Sequence, residues 1–349
     1  ALCTDNLSAP EIALPGENFN SVLYTGDNTT GRGITGVGFS PGFSWIKNLD
    51  AADKYINVDS VRGPTIYWSS NTGGTFTTDS NMVTSLDSDG FTIGDEVEVN
   101  TDTEDFVSWN WLCGDSFDPT AGSATVTSAT GNANTTAGIS IVKYDGPGGL
   151  TDSFAHGLSK PVEFIIVKAD AGDGATTGAT PMTWDGTILL SGNSAFYDSA
   201  NYWRDLAPSA SLVYIGIAGE VNDGGSTTSY SAYCFHSVEG YSKIGGYEGN
   251  GNADGPFIYT GFKPAWLLIK KYSAAGDDWY QFDNKRDTYN TVDKRLVLNG
   301  TQTEGSGNAI DFLSNGIKIR ESGTSFNGSG ADMIYMAFAE SPFKYSNAR

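Results

Sequence analysis

Cysteine and histidine are scarce in this 349-residue sequence. Its three cysteines, Cys3, Cys113 and Cys234, lie far apart, are odd in number and form no CxxC pair. The sequence therefore predicts neither a disulfide framework nor a zinc site. The two histidines are His156, beside a turn, and His236, at the end of an apolar strand. Because no GxSxG elbow occurs and serine and aspartate are too abundant to be informative, we favour structural roles for both histidines over an active site.

Positive charge is also scarce. The chain has 20 lysines and arginines against 41 aspartates and glutamates, which gives a formal net charge of −21. Such a surface repels phosphate backbones and anionic lipids, so we expect neither nucleic-acid binding nor membrane attachment. No apolar run approaches the length of a membrane span. The start, ALCTDNLSAPEIALPG, lacks the basic and apolar parts of a signal peptide and is typical of a linker.

Glycine is abundant, by contrast, with 44 residues, while charged residues make up only 17% of the chain. Serine, threonine, asparagine and aspartate fill the gaps between short apolar runs. This composition is typical of an all-β protein with many turns. The aromatic content of 12% is too high for a disordered chain.

One phrase occurs three times, as GFSPGFSWIKN, GLSKPVEFIIVKA and GFKPAWLLIKK, with a tyrosine upstream and an asparagine downstream. The three sets of landmarks are Tyr24, Lys47 and Asn100; Tyr144, Lys168 and Asn222; and Tyr247, Lys270 and Asn327. The second set lies 120 to 122 residues after the first, and the third lies 102 to 105 residues after the second. Three landmarks that keep one spacing predict an internal triplication, with units too long for a solenoid.

The repeated strands are apolar on both faces. In the third phrase, Trp266 and Leu268 share one face, while Leu267 and Ile269 share the other. Such a strand lies between two covering layers. The closing strands FVSWNW and MIYMAF are also largely apolar on both sides, so we expect them inside as well.

We predict an all-β fold of three tandem repeats of about 100–120 residues. Each would be a β-sandwich or jelly-roll-like domain of about six to eight short strands. The predicted segments are an N-terminal linker (1–16), repeat 1 (17–114), a Ser/Thr/Gly-rich linker (115–136), repeat 2 (137–239) and repeat 3 (240–349). The composition of the second linker predicts a flexible or extended segment.

Acidic residues offer two kinds of candidate site. Asp102, Glu104 and Asp105 could supply the paired carboxylates of a glycan-cleaving enzyme, but the other two copies lack them, so we favour solvated loop charges. The loops 87–90 and 170–174 offer oxygen ligands for Ca²⁺ without completing an EF-hand, and Asp-Gly turns explain them. We therefore predict a non-enzymatic protein with no metal site or required cofactor, with loop-bound calcium as the alternative.

The repeated lysines could mark a threefold site, or each could snorkel at a strand end or pair with an acid on the next strand. Acids that follow the lysines by 12 to 17 residues are Asp59, Asp185 and Asp283. We favour this structural role, snorkelling or pairing, over a threefold site.

Tryptophans divide into two sets. Those in the repeated strands, Trp45, Trp109, Trp111 and Trp266, are predicted to be core. The others lie in less similar stretches, where an aromatic face beside polar groups suits a sugar. The candidate glycan- or receptor-binding residues are Trp68, Trp184, Tyr202, Trp203, Arg204, Asp205, Trp279 and Tyr280. Packing or a subunit interface is the alternative.

The phrases TGVGFSPGFSWIKNLDAADKYINVDSVRG, GNGNADGPFIYTGFKPAWLLIKK and MIYMAFAESPFKYSNAR, taken together, resemble a family of marine tailed-phage proteins. Its members are described as tail-fibre or virion-associated proteins with a C-terminal domain of unknown function. The opening ALCTDNL is similar to a linker that follows a SPRY or concanavalin-like domain in longer relatives. The family carries no established catalytic residues.

The resemblance implies a structural virion protein, made in the host cytoplasm and located on the tail or capsid surface. We expect a tail fibre or appendage that contacts a host glycan or protein receptor, with a capsid-decorating or tail-adaptor protein as the alternative and a glycan depolymerase as a weaker one. Expected partners are other virion proteins and the host receptor. A homotrimer is expected by analogy with phage fibres.

Overall fold

The computed structural model describes residues 6–7, 9–172, 174–224, 228–307 and 310–346. Antiparallel strands form three large and three small sheets within these residues, and the α-helices among them have four residues each. Short 3-10 helices lie at Pro15–Glu17, Thr180–Met182 and Phe343–Tyr345. The all-β class predicted from the turn-rich composition is confirmed.

The first strand group spans residues 19–111. Its large sheet has, in spatial order, β1 (Phe19–Thr25), β9 (Asp105–Trp111), β3 (Phe43–Asn48), β4 (Ile56–Asp59), β5 (Gly63–Trp68) and β6 (Thr77–Thr78). Its small sheet has β2 (Arg32–Thr35), β8 (Gly90–Ile93) and β7 (Val83–Asp87). Helix α1 (Val97–Asn100) precedes β9.

The second strand group spans residues 115–235. Its large sheet has, in order, β10 (Asp115–Phe117), β11 (Ala129–Asn134), β12 (Ile139–Asp145), β19 (Ser229–Phe235), β14 (Phe164–Ala169), β15 (Thr176–Ala179), β16 (Gly186–Leu189) and β17 (Tyr197–Asp198). Its small sheet pairs β13 (Asp152–Ala155) with β18 (Leu212–Ile215). The helices are α2 (Ala200–Trp203) and α3 (Gly219–Asn222).

The third strand group spans residues 242–342. Its large sheet has, in order, β20 (Ser242–Glu248), β27 (Asp332–Pro342), β22 (Phe262–Lys271), β23 (Trp279–Asp283) and β24 (Leu296–Val297). Its small sheet has β21 (Phe257–Tyr259), β26 (Gly316–Ile319) and β25 (Ile310–Leu313). Helix α4 (Thr324–Asn327) precedes β27.

A common strand order runs through the three large sheets. The strand carrying a landmark tyrosine pairs with the strand that closes the group, and the closing strand pairs with the strand carrying a landmark lysine. The registers agree as well. In each group the residue two positions before the landmark lysine lies opposite an equivalent residue of the closing strand, in the pairs Trp45–Trp109, Ile166–Tyr233 and Leu268–Met336.

The inner faces of the three large sheets meet in one central core. Ring pairs that join the sheets are Phe43–Tyr233 with centroids 4.6 Å apart, Trp111–Trp266 at 5.6 Å and Phe235–Phe338 at 6.3 Å. The outer face of each large sheet packs on its own small sheet in a separate cluster. Burial of apolar surface on both sides of each large sheet stabilises the assembly.

The predicted division of strand faces is confirmed in the third group. Trp266 and Leu268 lie in the central core, whereas Leu267 and Ile269 lie in the outer cluster. The strands β3, β14 and β22 are buried at every position. Two covering layers therefore account for the continuous apolar runs in these strands.

The predicted linkers differ from what the structure shows. Residues 115–136 contribute β10 and β11, and β11 pairs with β12 from Ala129 opposite Tyr144 to Asn134 opposite Ile139. Of the two forms predicted for this segment, flexible or extended, the extended one describes residues 115–117 and 129–134. They gain order from the adjacent strand edge and from Phe117, Ala129 and Ala133, which pack against the outer cluster of the second group. Within the N-terminal segment, Ile12 is 5% exposed and packs in the central core.

Candidate functional site

Most of the aromatic residues proposed to bind a glycan are buried. Trp68, Trp184, Trp203 and Trp279 have at most 2% of their surface exposed. The Trp68 indole N–H donates to the Tyr233 hydroxyl at 2.8 Å. These rings cannot stack on a sugar in this conformation, so the packing alternative describes them. The sequence did not indicate this burial, because a tryptophan in a loop-like stretch gives no sign of whether its ring points inward or outward.

The eight candidate residues are also dispersed. Trp68 and Trp279 lie in the central core, Trp184, Tyr202 and Trp203 in the outer cluster of the second group, and Tyr280 in that of the third. Arg204 is half-buried, and its guanidinium lies 5.4 Å from the Tyr214 ring centroid. Only Asp205 is exposed. The structure does not bring these residues together into one surface, and a ligand-binding role for Arg204 and Asp205 stays a prediction.

Both histidines contact backbone groups. His156 is buried, with Nδ1 accepting from the Leu158 N–H at 3.1 Å and Nε2 lying 3.3 Å from the Ser209 carbonyl. His236 Nδ1 lies 3.0 Å from the Ser237 carbonyl. Burial lowers the pKa of both imidazoles. Where a triad histidine bonds a carboxylate through Nδ1, His156 accepts from a backbone N–H and His236 faces a carbonyl, which favours the structural interpretation although Ser159 Oγ lies 3.4 Å from His236 Nε2.

The landmark lysines are buried and donate to nearby backbone carbonyls. The distances from Nζ are 2.6 Å to Asn48 for Lys47, 2.7 Å to Ala169 for Lys168 and 2.7 Å to Asp277 for Lys270. The predicted pairing with acids was wrong, because Asp59, Asp185 and Asp283 are engaged elsewhere. Lys47 and Lys168 thus bond the last residue of their own strands, and Lys270 bonds a carbonyl in the loop between β22 and β23, which offsets part of the cost of burying each ammonium group.

The buried lysines predict an unusual dependence of stability on pH. Desolvation lowers the pKa of Lys47 and of Lys270 to about 8. Between that value and the ordinary lysine pKa the unfolded chain binds more protons than the folded one, so stability rises with pH. Burial raises the pKa of Cys113, Cys234 and several tyrosines, which works in the opposite direction in the same range. We therefore expect the free energy of unfolding of the wild type, measured in urea relative to that of the double variant Lys47→Met, Lys270→Met, to increase from about pH 8 to about pH 9.5. A difference between the two proteins that does not change with pH would contradict the assignment.

Two buried aspartates join neighbouring strand groups. Asp59 Oδ2 accepts a hydrogen bond from the Tyr233 hydroxyl at 2.7 Å, which links the first and second groups. Asp283 Oδ2 accepts from Arg286 Nε at 2.6 Å and from the Trp109 indole N–H at 3.2 Å, which links the third and first groups. Burial raises the pKa of Asp59. These contacts hold the large sheets against one another.

The landmark asparagines and tyrosines make matching hydrogen bonds in the three groups. Each asparagine Nδ2 donates to the carbonyl six residues earlier, in Gly94, Gly216 or Glu321. Each tyrosine hydroxyl donates to the carbonyl just before that asparagine, in Val99, Val221 or Phe326, at 2.9, 2.7 and 2.6 Å. These polar side chains fix the chain ahead of the closing strand, so their repeated occurrence has a structural reason.

A backbone N–H from each strand group also donates to the next group. The bonds run from Phe76 to Asp170 Oδ1 at 3.0 Å, from Phe196 to the Tyr272 carbonyl at 2.8 Å and from Glu304 to the Leu49 carbonyl at 3.0 Å. The acceptors stand two residues after Lys168, Lys270 and Lys47 respectively. The three contacts therefore form a closed cycle around the central core.

The acidic candidates are occupied by neutral partners. Glu104 Oε2 accepts from the Asn48 amide at 2.6 Å, and Asp105 Oδ1 accepts from the Thr25 hydroxyl at 2.7 Å. Asp87 accepts from Ser85 and Thr92 in the same hairpin. The 170–174 loop includes residue 173, which lies outside the described residues. Among the residues that are described, we find no group of three or more His, Cys, Asp or Glu able to hold a metal ion.

A cleft with both polar and apolar lining residues lies between the first and third strand groups. It encloses about 370 Å³ and is lined by residues of β1, β27 and the segment after β23. Ser21, Asn284 and Glu340 are among its polar residues. The sequence offered no signal for this site, because its members come from three distant stretches that carry no motif.

Comparison with known proteins places the chain in a family without assigning an activity. The model of a domain of unknown function, DUF7483, matches residues 14–342. No curated protein and no solved structure matches the chain. No helix among the described residues is both long and apolar enough to cross a membrane. Since the match covers nearly all of its length, the chain belongs to the family defined by the domain of unknown function DUF7483.

Proposed function

We propose that this chain is an internal triplication closed into a ring around one core, and that it acts as a rigid, non-catalytic virion protein of a tailed phage. The matched strand orders and the matched asparagine and tyrosine hydrogen bonds support the triplication. The observation that carries the proposal is the cycle of three hydrogen bonds, each donated by a backbone N–H of one strand group to an oxygen of the next. Such closure lets one chain behave as a single stiff body.

Stiffness and charge suit a display protein. Buried aromatic and polar side chains fill the interior, and the net charge of −21 keeps the surface well hydrated and repulsive to other acidic surfaces. Receptor contact would come from surface loops and clefts on this scaffold. Repetition within a homo-oligomer, a trimer by analogy with phage fibres, would raise weak contacts to a useful avidity. The phage setting rests on the sequence resemblance.

Cell binding and a glycan-cleavage assay test this function. We expect the fluorescently labelled chain to bind saturably to some strains in a panel of marine bacteria, and to release no reducing ends from their surface polysaccharides. Release of reducing sugar would indicate a depolymerase. Absence of binding to every strain, together with antibody labelling of the capsid or of the tail base in intact particles, would favour the decorating or adaptor alternative.

A further inference from the structure

Strand β20 is an edge of the third large sheet and keeps part of its backbone free. The Gly249 N–H, one residue beyond its end, donates to the Ala331 carbonyl opposite, so the even-numbered residues of β20 direct their N–H and C=O groups away from β27. Within the described part of the chain, the outward backbone groups of Gly246 and Glu248 have no hydrogen-bond partner. Gly246 is exposed, and because a glycine exposes only backbone, its groups are accessible to an added strand.

The same edge of the second group already carries an added strand. The residue before the landmark tyrosine is Gly246 in β20 and Lys143 in β12, and Lys143 lies opposite Thr130 of β11. The residue after that tyrosine in β12 is Asp145, whose N–H donates to the Ser128 carbonyl at 3.1 Å. The two strands are antiparallel. This edge therefore accepts an antiparallel strand in one of the three groups.

A groove between the second and third strand groups, here called the β20 groove, leaves room for a strand at the matching place. It encloses about 460 Å³ and is lined by residues 244–248 of β20 and, across from them, by Pro181 of the second group. The Tyr272 hydroxyl donates to the Pro181 carbonyl at 3.1 Å, which fixes that wall. Between the first and second groups, β11 lies at this place, and its Asn132 donates to the Ser60 hydroxyl at 2.9 Å. The β20 groove is thus the open counterpart of the place that β11 fills.

The charges of the β20 groove favour a basic occupant. Its lining includes Glu163, Glu248 and Asp332 but no lysine or arginine, and Lys243 of β20 is not part of it. Glu248 and Asp332 are exposed and lie directly opposite each other on neighbouring strands, where like charges repel. A lysine or arginine beside them would relieve this repulsion. The net charge of −21 disfavours a second copy of the chain as the occupant.

The first group lacks this combination. The residues that flank its landmark tyrosine are Leu23 and Thr25. Leu23 places an apolar side chain, 45% exposed, where β20 has a glycine. The Thr25 carbonyl accepts from Arg32 Nη1 at 2.6 Å, so a basic strand would meet a guanidinium there. The free and acidic edge is therefore specific to the third group.

We propose that β20 binds an extended, lysine- or arginine-rich segment of a partner protein as an additional antiparallel strand. The backbone of that segment exchanges hydrogen bonds with Gly246 and Glu248. A partner residue opposite Glu248 places its side chain on the same face as the two acids and its own N–H toward β20. The site is defined by β20 and its groove and does not depend on the phage setting.

Fluorescence anisotropy with a labelled peptide of alternating lysine and valine tests the proposal. We expect a Kd of about 100 μM or below. Because the lysines that contact the acids direct their backbone N–H groups toward β20, methylating the backbone nitrogens of the lysines should weaken binding by about tenfold or more. Methylating those of the valines keeps the same charge and size and should leave binding nearly unchanged. The pair separates strand addition from simple attraction to an acidic protein.

Three protein variants complete the test. The double variant Glu248→Lys, Asp332→Lys should weaken binding by about tenfold or more. Its control, Asp102→Lys, Asp115→Lys, makes the same change in net charge at exposed positions elsewhere and should alter the Kd by less than about threefold. Gly246→Pro removes an edge N–H that the fold does not use and should also weaken binding by about tenfold or more.

Amide hydrogen exchange locates the contact, and we expect the bound peptide to slow exchange at Gly246 and Glu248. Binding without this protection, equal binding of the lysine-methylated peptide, or equal binding by Glu248→Lys, Asp332→Lys would overturn the proposal. A Kd for the unmodified peptide above about 1 mM would do so as well. If the same amides became protected in the concentrated chain alone, the edge would belong to a second copy and the basic partner would be wrong.

Discussion

Replacing Trp111 with alanine is expected to lower the free energy of unfolding by about 3–5 kcal/mol, because a large buried ring is lost at the centre of the molecule. Trp111 is fully buried. Its ring centroid lies 5.0 Å from Phe19, 5.3 Å from Phe43 and 5.6 Å from both Trp266 and Phe338. These partners belong to the first and third strand groups, so one substitution should loosen both of them.

Urea unfolding followed by far-ultraviolet circular dichroism measures this effect without relying on tryptophan fluorescence. Trp111→Phe is the matched control. It keeps most of the ring and removes an indole N–H that has no partner among the described residues, so we expect a loss below about 1.5 kcal/mol. A Trp111→Ala protein as stable as the wild type would show that the central core contributes little.

Removing the carboxylate of Asp283 is expected to cost about 3 kcal/mol, because it leaves the buried Arg286 guanidinium with the more exposed Glu304, 3.2 Å from its Nη1, as its remaining counter-charge. The two side chains are 0% and 1% exposed, and Arg286 Nε lies 2.6 Å from Asp283 Oδ2. Asp283 Oδ1 also accepts from the backbone N–H groups of Lys285 and Arg286 at 3.0 and 2.9 Å. Chemical denaturation of Asp283→Ala measures the loss.

Two further variants make the result specific. Asp102→Ala, at an exposed loop position, should change the free energy of unfolding by less than about 0.5 kcal/mol. The double variant Asp283→Ala, Arg286→Met should recover part of the loss, since it also removes the buried charge, and Glu304 keeps Lys294 as a partner. A double variant less stable than Asp283→Ala would contradict the view that the stranded charge is the main cost.

The strand register at Asp283 also explains why two of the three groups have a buried aspartate there and the third does not. Asp59 and Asp283 lie at the same register position, opposite Phe43 and Trp266, and the second group has Ala179 there, opposite Phe164. The two acids bind Tyr233 and Trp109 of the adjacent group. The residue of the third closing strand, β27, that is equivalent to Trp109 and Tyr233 is Met336, which has no polar hydrogen to donate. The second group thus has Ala179 in place of an acid, and the third group has no hydrogen-bond donor at Met336 for such an acid to accept from.

This register explains why one sequence prediction failed. Counting residues from the landmark lysines selected Asp185 as an equivalent of Asp59 and Asp283, yet Ala179 holds the register position. Loop lengths differ between the groups, so spacing along the chain does not preserve spatial position over more than one turn. The repeated strands were predictable because periodic apolar residues report both of their faces.

The cleft and the β10–β11 hairpin were not predictable for a different reason. Ser21 of the first strand group meets Asn284 and Glu340 of the third only through the contact between the two groups, and no local pattern encodes such a contact. The hairpin residues 115–117 and 129–134 have the composition of a linker, and they become strands because the edge of β12 offers hydrogen-bonding groups.

Native-state hydrogen exchange on β9, β19 and β27 tests most directly whether the three strand groups form one closed body. These closing strands lie in three different large sheets and contribute to the same core. We expect their slowest amides to share one free energy of opening, equal to that of global unfolding, and to fall together in Trp111→Ala. Exchange from one strand at a lower free energy, with the other two unaffected by the substitution, would contradict a single closed ring.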